Sequence, residues 1–145
     1  MPRYFTVKQA EALLPEVGES IRKAVHLKRE NEKAEQELNA LMHRVTMAGG
    51  MILDRQSLLG MRARRDATAM RLNEILEELQ ETGCQVKDLD MGLLDFPTLF
   101  RGEEVLLCWR LGEASIEYWH GTSEGFRGRR PIDQEFLDNH RGDPE

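Results

Sequence analysis

"FTVKQAEALLPEVGESIRKAVHLKRENEKAEQELNALMHRV", residues 5–45, decides the fold class. Its apolar residues recur on a heptad. Ala10, Val17, Ala24, Asn31, Leu38 and Val45 fall every seven residues, and Leu13, Ser20, Leu27, Ala34 and Leu41 fall three later. Such an a/d stripe over five repeats predicts a long helix that buries one seam against another helix. Thr6 and Gln9 are spaced as a capping box, with Phe5 and Ala10 as its hydrophobic staple. Pro15 interrupts the pattern, yet the stripe keeps its phase from Leu13 to Val17, which predicts one bent helix rather than two. Continuous from Val7 to Val45, it would be roughly 60 Å long. Asn31 at an a position is the kind of polar residue that fixes register or partner number.

Moving outward, "MAGGM" at 47–51 holds Gly49 and Gly50, a break signal. A second helix is predicted from Asp54 or Ser57 to Thr82. Leu58, Ala69, Leu72, Ile75, Leu76 and Leu79 form its apolar face, and Gly83 is its C-terminal cap. Two long helices with a short linker fold back antiparallel. Met42, Met47, Met51, Met61 and Met70 read as adaptable packing around that linker. Two helices alone bury one seam each, so a further surface must finish the core: the C-terminal module or a second copy of the chain.

After Gly83 the period shifts toward 2. "CQVKDLD", "EVLLCWRL" and "SIEYWH" are strand-like, with turns at "RGEE" (101–104) and "GEAS" (112–115). The predicted class is α+β: a long antiparallel helical hairpin (6–82) followed by a small antiparallel β-meander of three or four strands (84–131). The polar tail, 132–145, is expected to fray. All of it reads as one domain.

The chemistry concentrates in "CWRLGEASIEYWHGTSEGFRGRRP", 108–131. Pairing Val105–Leu111 with Ser115–His120 through a loop of two or four residues puts Val105, Leu107, Trp109 and Leu111 on one face with Ile116, Tyr118 and His120. Leu106, Cys108 and Arg110 then share the other face with Glu117 and Trp119. In that register Cys108 and His120 point apart, so no thiol–imidazole dyad forms. A three-residue loop would reverse this facing. A four-residue loop sets Arg110 opposite Glu117 as a cross-strand ion pair. Arg127, Arg129 and Arg130, beside Gly125 and Gly128, can fork onto a phosphate or carboxylate, or pair with acids of the same half. Arg110, Glu113, Glu117, His120, Arg127, Arg129 and Arg130 are the candidate binding residues.

Other signals are weaker. Asp88, Asp90 and Asp95 read as turn caps and solvated acids more than as a cation site. The spacing of Cys84 and Cys108 gives no structural metal motif, and both read as reduced, separately buried thiols. No metal and no cofactor is expected, and no nucleotide-binding, hydrolase or metalloprotease motif is present. The chain of 145 residues carries a net charge of -6. The first 83 residues hold thirteen basic and thirteen acidic residues; the remainder holds seven and thirteen. That acidic half argues against a nucleic-acid groove there. Arg55, Arg62, Arg64 and Arg65, near His43 and Arg44, form a basic tip, but Asp66 dilutes it and no aromatics interleave. No stretch is apolar enough for a signal peptide or a membrane span, so a soluble, cytoplasmic protein is expected.

"YFTVKQAEALLPEV", "GCQVKDLDMGLLDFPTLFRGEEVLLCWRLGE" and "YWHGTSEGFRGRRPID" together resemble an uncharacterised bacterial family, domain of unknown function 2203. The likeness runs from residue 4 to residue 133. It implies a bacterial cytoplasmic protein with helices followed by a small β module, and it brings no activity and no site residue. The functional expectation is therefore built from the residues. It is a non-enzymatic interaction or scaffold protein that self-associates through its helices, most simply as a homodimer. The alternative is a small anionic-ligand-binding protein or enzyme with its site on the β module. There the arginines would hold the anion while His120 or a glutamate moves protons.

Overall fold

Thr6 and Gln9 do what their spacing requires. The Gln9 backbone N–H donates to Thr6 Oγ1 at 3.1 Å, and the Thr6 N–H donates to Gln9 Oε1 at 2.9 Å. The computed structural model describes residues 3–47 and 55–144. From that box runs α1, Val7–Met47, unbroken through Pro15. The predicted glycine break at 49–50 and Met51 lie outside the described residues. The second helix, α2, is Arg55–Glu81, followed by Gly83 in the left-handed region at φ 98°. The two helices pack together, and Asn31 sits at their seam, donating to the Arg65 carbonyl at 2.8 Å and to Thr68 Oγ1 at 3.0 Å. This polar a-position residue fixes the register of the hairpin within one chain.

The strands are β1 (Gln85–Asp88), β2 (Leu93–Phe100), β3 (Glu103–Arg110), β4 (Tyr118–Gly121) and β5 (Arg130–Pro131), hydrogen-bonded in that order. Arg101 and Gly102 close the β2–β3 hairpin with φ of 51° and 83°, the two left-handed residues of a type I′ turn. One sheet face carries Leu94, Phe96, Val105, Leu107 and Trp109 into a shared core with Phe5, Val17, Ile21, Ala24, Ile75 and Leu79. This is the apolar face expected of β3.

The facing of the next strand is corrected. β3 and β4 are joined by residues 111–117, an odd-length connection, and the partners are Leu106↔His120 and Cys108↔Tyr118. Cys108 and His120 therefore share a face. Residues 115–117 look strand-like in sequence but do not pair with β3. Ile116 is buried, with its N–H donating to Glu11 Oε1 at 3.2 Å, so the connection dips into the core beside α1 and the register shifts. Arg110 lies opposite Leu93 rather than Glu117, and the Glu117 carboxylate accepts from Ser115 Oγ at 3.1 Å.

The tail is docked rather than frayed. After β5 come α3 (Gln134–Asn139) and β6 (His140–Arg141), which pairs with β2. Asp133 caps α3 by accepting from the Phe136 N–H at 2.9 Å. Phe136 is buried, stacked on Phe100 at 4.8 Å and His140 at 5.2 Å and tilted against Trp119 at 5.0 Å. His140 Nε2 accepts the Val7 N–H at 3.0 Å, so the tail satisfies one of the donors left open at the start of α1.

Candidate functional site

The sheet face turned away from the helices holds the polar chemistry. Asp95 in β2 is the cross-strand partner of Cys108 in β3, and His120 in β4 sits opposite Leu106 on the same face. All three side chains are buried: Asp95 is 1%, Cys108 0% and His120 2% exposed. The segment after β4 folds back over them. A cavity of about 120 Å³ remains between Asp95, His120 and Leu106 below and Thr122, Glu124 and Phe126 above.

Hydrogen bonding sets the protons. His120 Nδ1 lies 2.9 Å from the Gly121 carbonyl, which can only accept, so Nδ1 carries hydrogen. His120 Nε2 lies 3.0 Å from Asp95 Oδ1, and one proton lies between them. Burial pushes the Asp95 carboxyl above the usual carboxylate range, with His120 pulling the other way. Burial, and then the neighbouring Asp95 charge, push the Cys108 thiol up to about 12, opposed by Arg129. At that value only about one molecule in 10⁵ holds a thiolate at pH 7, so an unassisted thiol nucleophile is a poor use of this site. The side chains offer one nitrogen, one sulfur and one oxygen, all within 4.8 Å of one another, a set that fits a metal ion.

The candidate residues read from sequence divide around this cluster. Arg129 clamps the covering segment. Its Nη2 donates to Glu113 Oε1 at 2.6 Å and to the Cys108 carbonyl at 3.3 Å, while its guanidinium sits 4.1 Å from the Tyr118 ring and 4.7 Å from the Phe126 ring. Glu113 also accepts from the Arg110 backbone N–H at 2.6 Å. Arg130 pairs with Glu124 at 2.9 Å and lies over Trp119 at 4.9 Å. Arg110, Glu117 and Arg127 are exposed. His120 alone of the seven is in the buried cluster. Asp88 caps its turn, accepting from the N–H groups of Asp90 and Met91, and Asp90 pairs with Lys28 at 2.5 Å. Asp95 is different in kind. A lone acid inside the apolar strand "LLDFP" was the signal for a buried polar group.

A second feature lies on α2. Leu59, Ala63, Ala67 and Met70 are all exposed, and their spacing of four, four and three places them on one stripe. At about 100° per residue, this stripe is roughly opposite the seam of Leu58, Met61, Arg65, Thr68 and Leu72. Of the 27 residues of α2 only Ile75 and Leu79 are buried. Met42, Met47 and Met70 are 39%, 75% and 65% exposed, so these methionines do not fill the hairpin's interior. In the basic tip, Arg64 pairs with Glu37 at 3.3 Å and Arg65 with Glu35 at 3.8 Å.

The family model of the uncharacterized conserved protein DUF2203 matches residues 3–132. The chain belongs to this family. The matched span takes in the hairpin, all of β1 to β4 and the covering segment, so both features lie inside the family's domain. No curated protein and no solved structure matches the chain. Among the described residues, no helix is long and apolar enough to cross a membrane.

Proposed function

We propose that this family member is a non-enzymatic interaction protein that forms a homodimer through α2, with its helical hairpin as the scaffold arm. The observation that carries this reading is the exposed Leu59–Ala63–Ala67–Met70 stripe on the solvent side of a helix that already buries its other seam. An apolar stripe on each side is the pattern of a helix between two partners. Ala63 and Ala67 let a second helix approach closely, and an antiparallel copy crossing there sets Leu59 against the partner's Met70. Charge supports a second copy as the occupant. Residues 1–83 carry no net charge and do not repel themselves, whereas residues 84–145 carry the chain's net negative charge and would face outward in such a pair. The two free, buried thiols fit a reducing cytoplasm as the place of action.

The test is a double substitution, Ala63→Glu with Ala67→Glu. Both positions are exposed and helical, and Glu is a good helix former, so the monomer keeps its fold. Four carboxylates then meet at the crossing. Size-exclusion chromatography with light scattering should show a dimer for the parent and a monomer of unchanged helicity for the variant. Equal masses for the two would refute the pairing.

A further inference from the structure

We propose that Asp95, Cys108 and His120 bind one divalent transition-metal ion of the zinc type, with a fourth coordination position open to the cavity beside Thr122 and Glu124. The site lies on the sheet face turned away from the helices, so it stands or falls independently of α2 pairing.

The donor set comes first. One carboxylate oxygen, one sulfur and one imidazole nitrogen lie within 4.8 Å of one another on three adjacent strands. Around zinc, bonds of about 2.0–2.3 Å at tetrahedral angles require ligand atoms about 3.3–3.6 Å apart. Asp95 Oδ1 and His120 Nε2, now 3.0 Å apart, need to open slightly, and the other separations need to contract by at most about 1.2–1.5 Å, a change within reach of side-chain rotation. The strands that carry the ligands do not have to move.

Orientation of the imidazole comes second. The Nδ1–H of His120 is spent on the Gly121 carbonyl at 2.9 Å, which leaves Nε2 to present its lone pair toward Asp95. A ligating histidine is commonly held in this way, its outer nitrogen donating to a carbonyl that fixes tautomer and ring plane.

Charge is the third argument, and it selects the valence. In the metal-free site the carboxyl–imidazole pair shares one proton and the thiol holds its own, so the cluster is neutral. A divalent ion displaces both protons to solvent. The carboxylate and thiolate then carry two negative charges against two positive ones, and the buried cluster is again neutral. A monovalent or trivalent ion would leave one uncompensated charge among three side chains that are 0–2% exposed, which their burial disfavours. Thiolate and imidazole donors disfavour magnesium and calcium, which prefer oxygen. The cavity of about 120 Å³ supplies room for a water as fourth ligand.

Cobalt(II) is the probe, because a thiolate–cobalt bond has its own absorption. Metal-stripped full-length protein is titrated with cobalt chloride. The expected result is saturation at one equivalent, with a near-ultraviolet thiolate-to-cobalt band and strong visible bands of four-coordinate cobalt, all erased by one equivalent of zinc. Cys84→Ser, whose thiol sits apart against the Leu79 carbonyl, should keep the near-ultraviolet band, and Cys108→Ser should lose it. Absence of that band in the native chain overturns the proposal, as does a band that survives Cys108→Ser or vanishes only with Cys84→Ser. Should either variant fail to fold by circular dichroism, the native titration decides alone.

Discussion

Replacing Arg129 with alanine tests how the outer face of the sheet is held shut. The Arg129 side chain is 12% exposed, and its guanidinium lies over the Tyr118 and Phe126 rings at 4.1 and 4.7 Å. Each stack contributes about 0.5–1 kcal/mol, rising toward about 2 where water is excluded. The 2.6 Å bond to Glu113 is charge-assisted and contributes about 1.5–3 kcal/mol. Glu113 is 26% exposed, so water recovers part of its lost partner. Together these give a loss of about 3 kcal/mol for Arg129→Ala, or roughly 10 °C in Tm for a domain of this size. Arg129→Lys keeps the charge but loses the planar fork and the stacking, and should cost about half as much. Urea unfolding followed by far-ultraviolet circular dichroism measures both. The m-value should not change, since the whole domain still unfolds. If Arg129→Ala unfolds within about 1 kcal/mol of the parent, the clamp described here does not exist.

Three further outcomes follow from the same contacts. Phe136→Ala opens a hole among Phe100, Trp119 and His140 and should cost about 3–4 kcal/mol in urea unfolding; a change typical of an exposed tail residue, under about 0.5 kcal/mol, would contradict the docked tail. Asn31→Ala removes two seam hydrogen bonds and should cost about 1–2 kcal/mol, read the same way. Both thiols are held above their ordinary value of 9.0, Cys108 up to about 12, in each case chiefly by burial. Their contribution is fully present below pH 9.0, the value in the unfolded chain, and is lost as pH rises above it, for Cys108 up to about 12, because the unfolded chain releases these protons first. Native protein at pH 8 should therefore show almost no reaction with a disulfide reagent, both thiols should react in urea, and unfolding midpoints should hold up to about pH 9 and fall above it.

What could be read in advance was local or periodic. The heptad of α1 survives Pro15 because phase is counted along one chain, and the Thr6–Gln9 box closes over three residues. The Arg101–Gly102 turn is equally self-contained. The facing of β4 was not legible, because it depends on whether the connection after Arg110 holds an odd or an even number of residues. "SIEY" has strand composition, but Ile116 is used as a core plug against α1, and nothing local distinguishes the two uses. That one-residue difference moved His120 onto the face of Cys108. The tail differs from its polar composition for a similar reason: a single aromatic, Phe136, outweighs its polar neighbours once Phe100 and Trp119 provide a place for it. Asp95 carried a usable signal, an acid within an apolar strand, but its partners come from β3 and β4 and appear only when the register is known. Of the seven candidate residues, Arg129 and Arg130 pair with acids of the same half, but which acids they meet depends on the fold.

The measurement closest to the central claim is the sedimentation of the unmodified chain across a hundredfold dilution. Pairing through the α2 stripe predicts a species of twice the 16.7 kDa chain mass at high concentration that dissociates on dilution. A single species of 16.7 kDa at every concentration, up to several hundred micromolar, would contradict it.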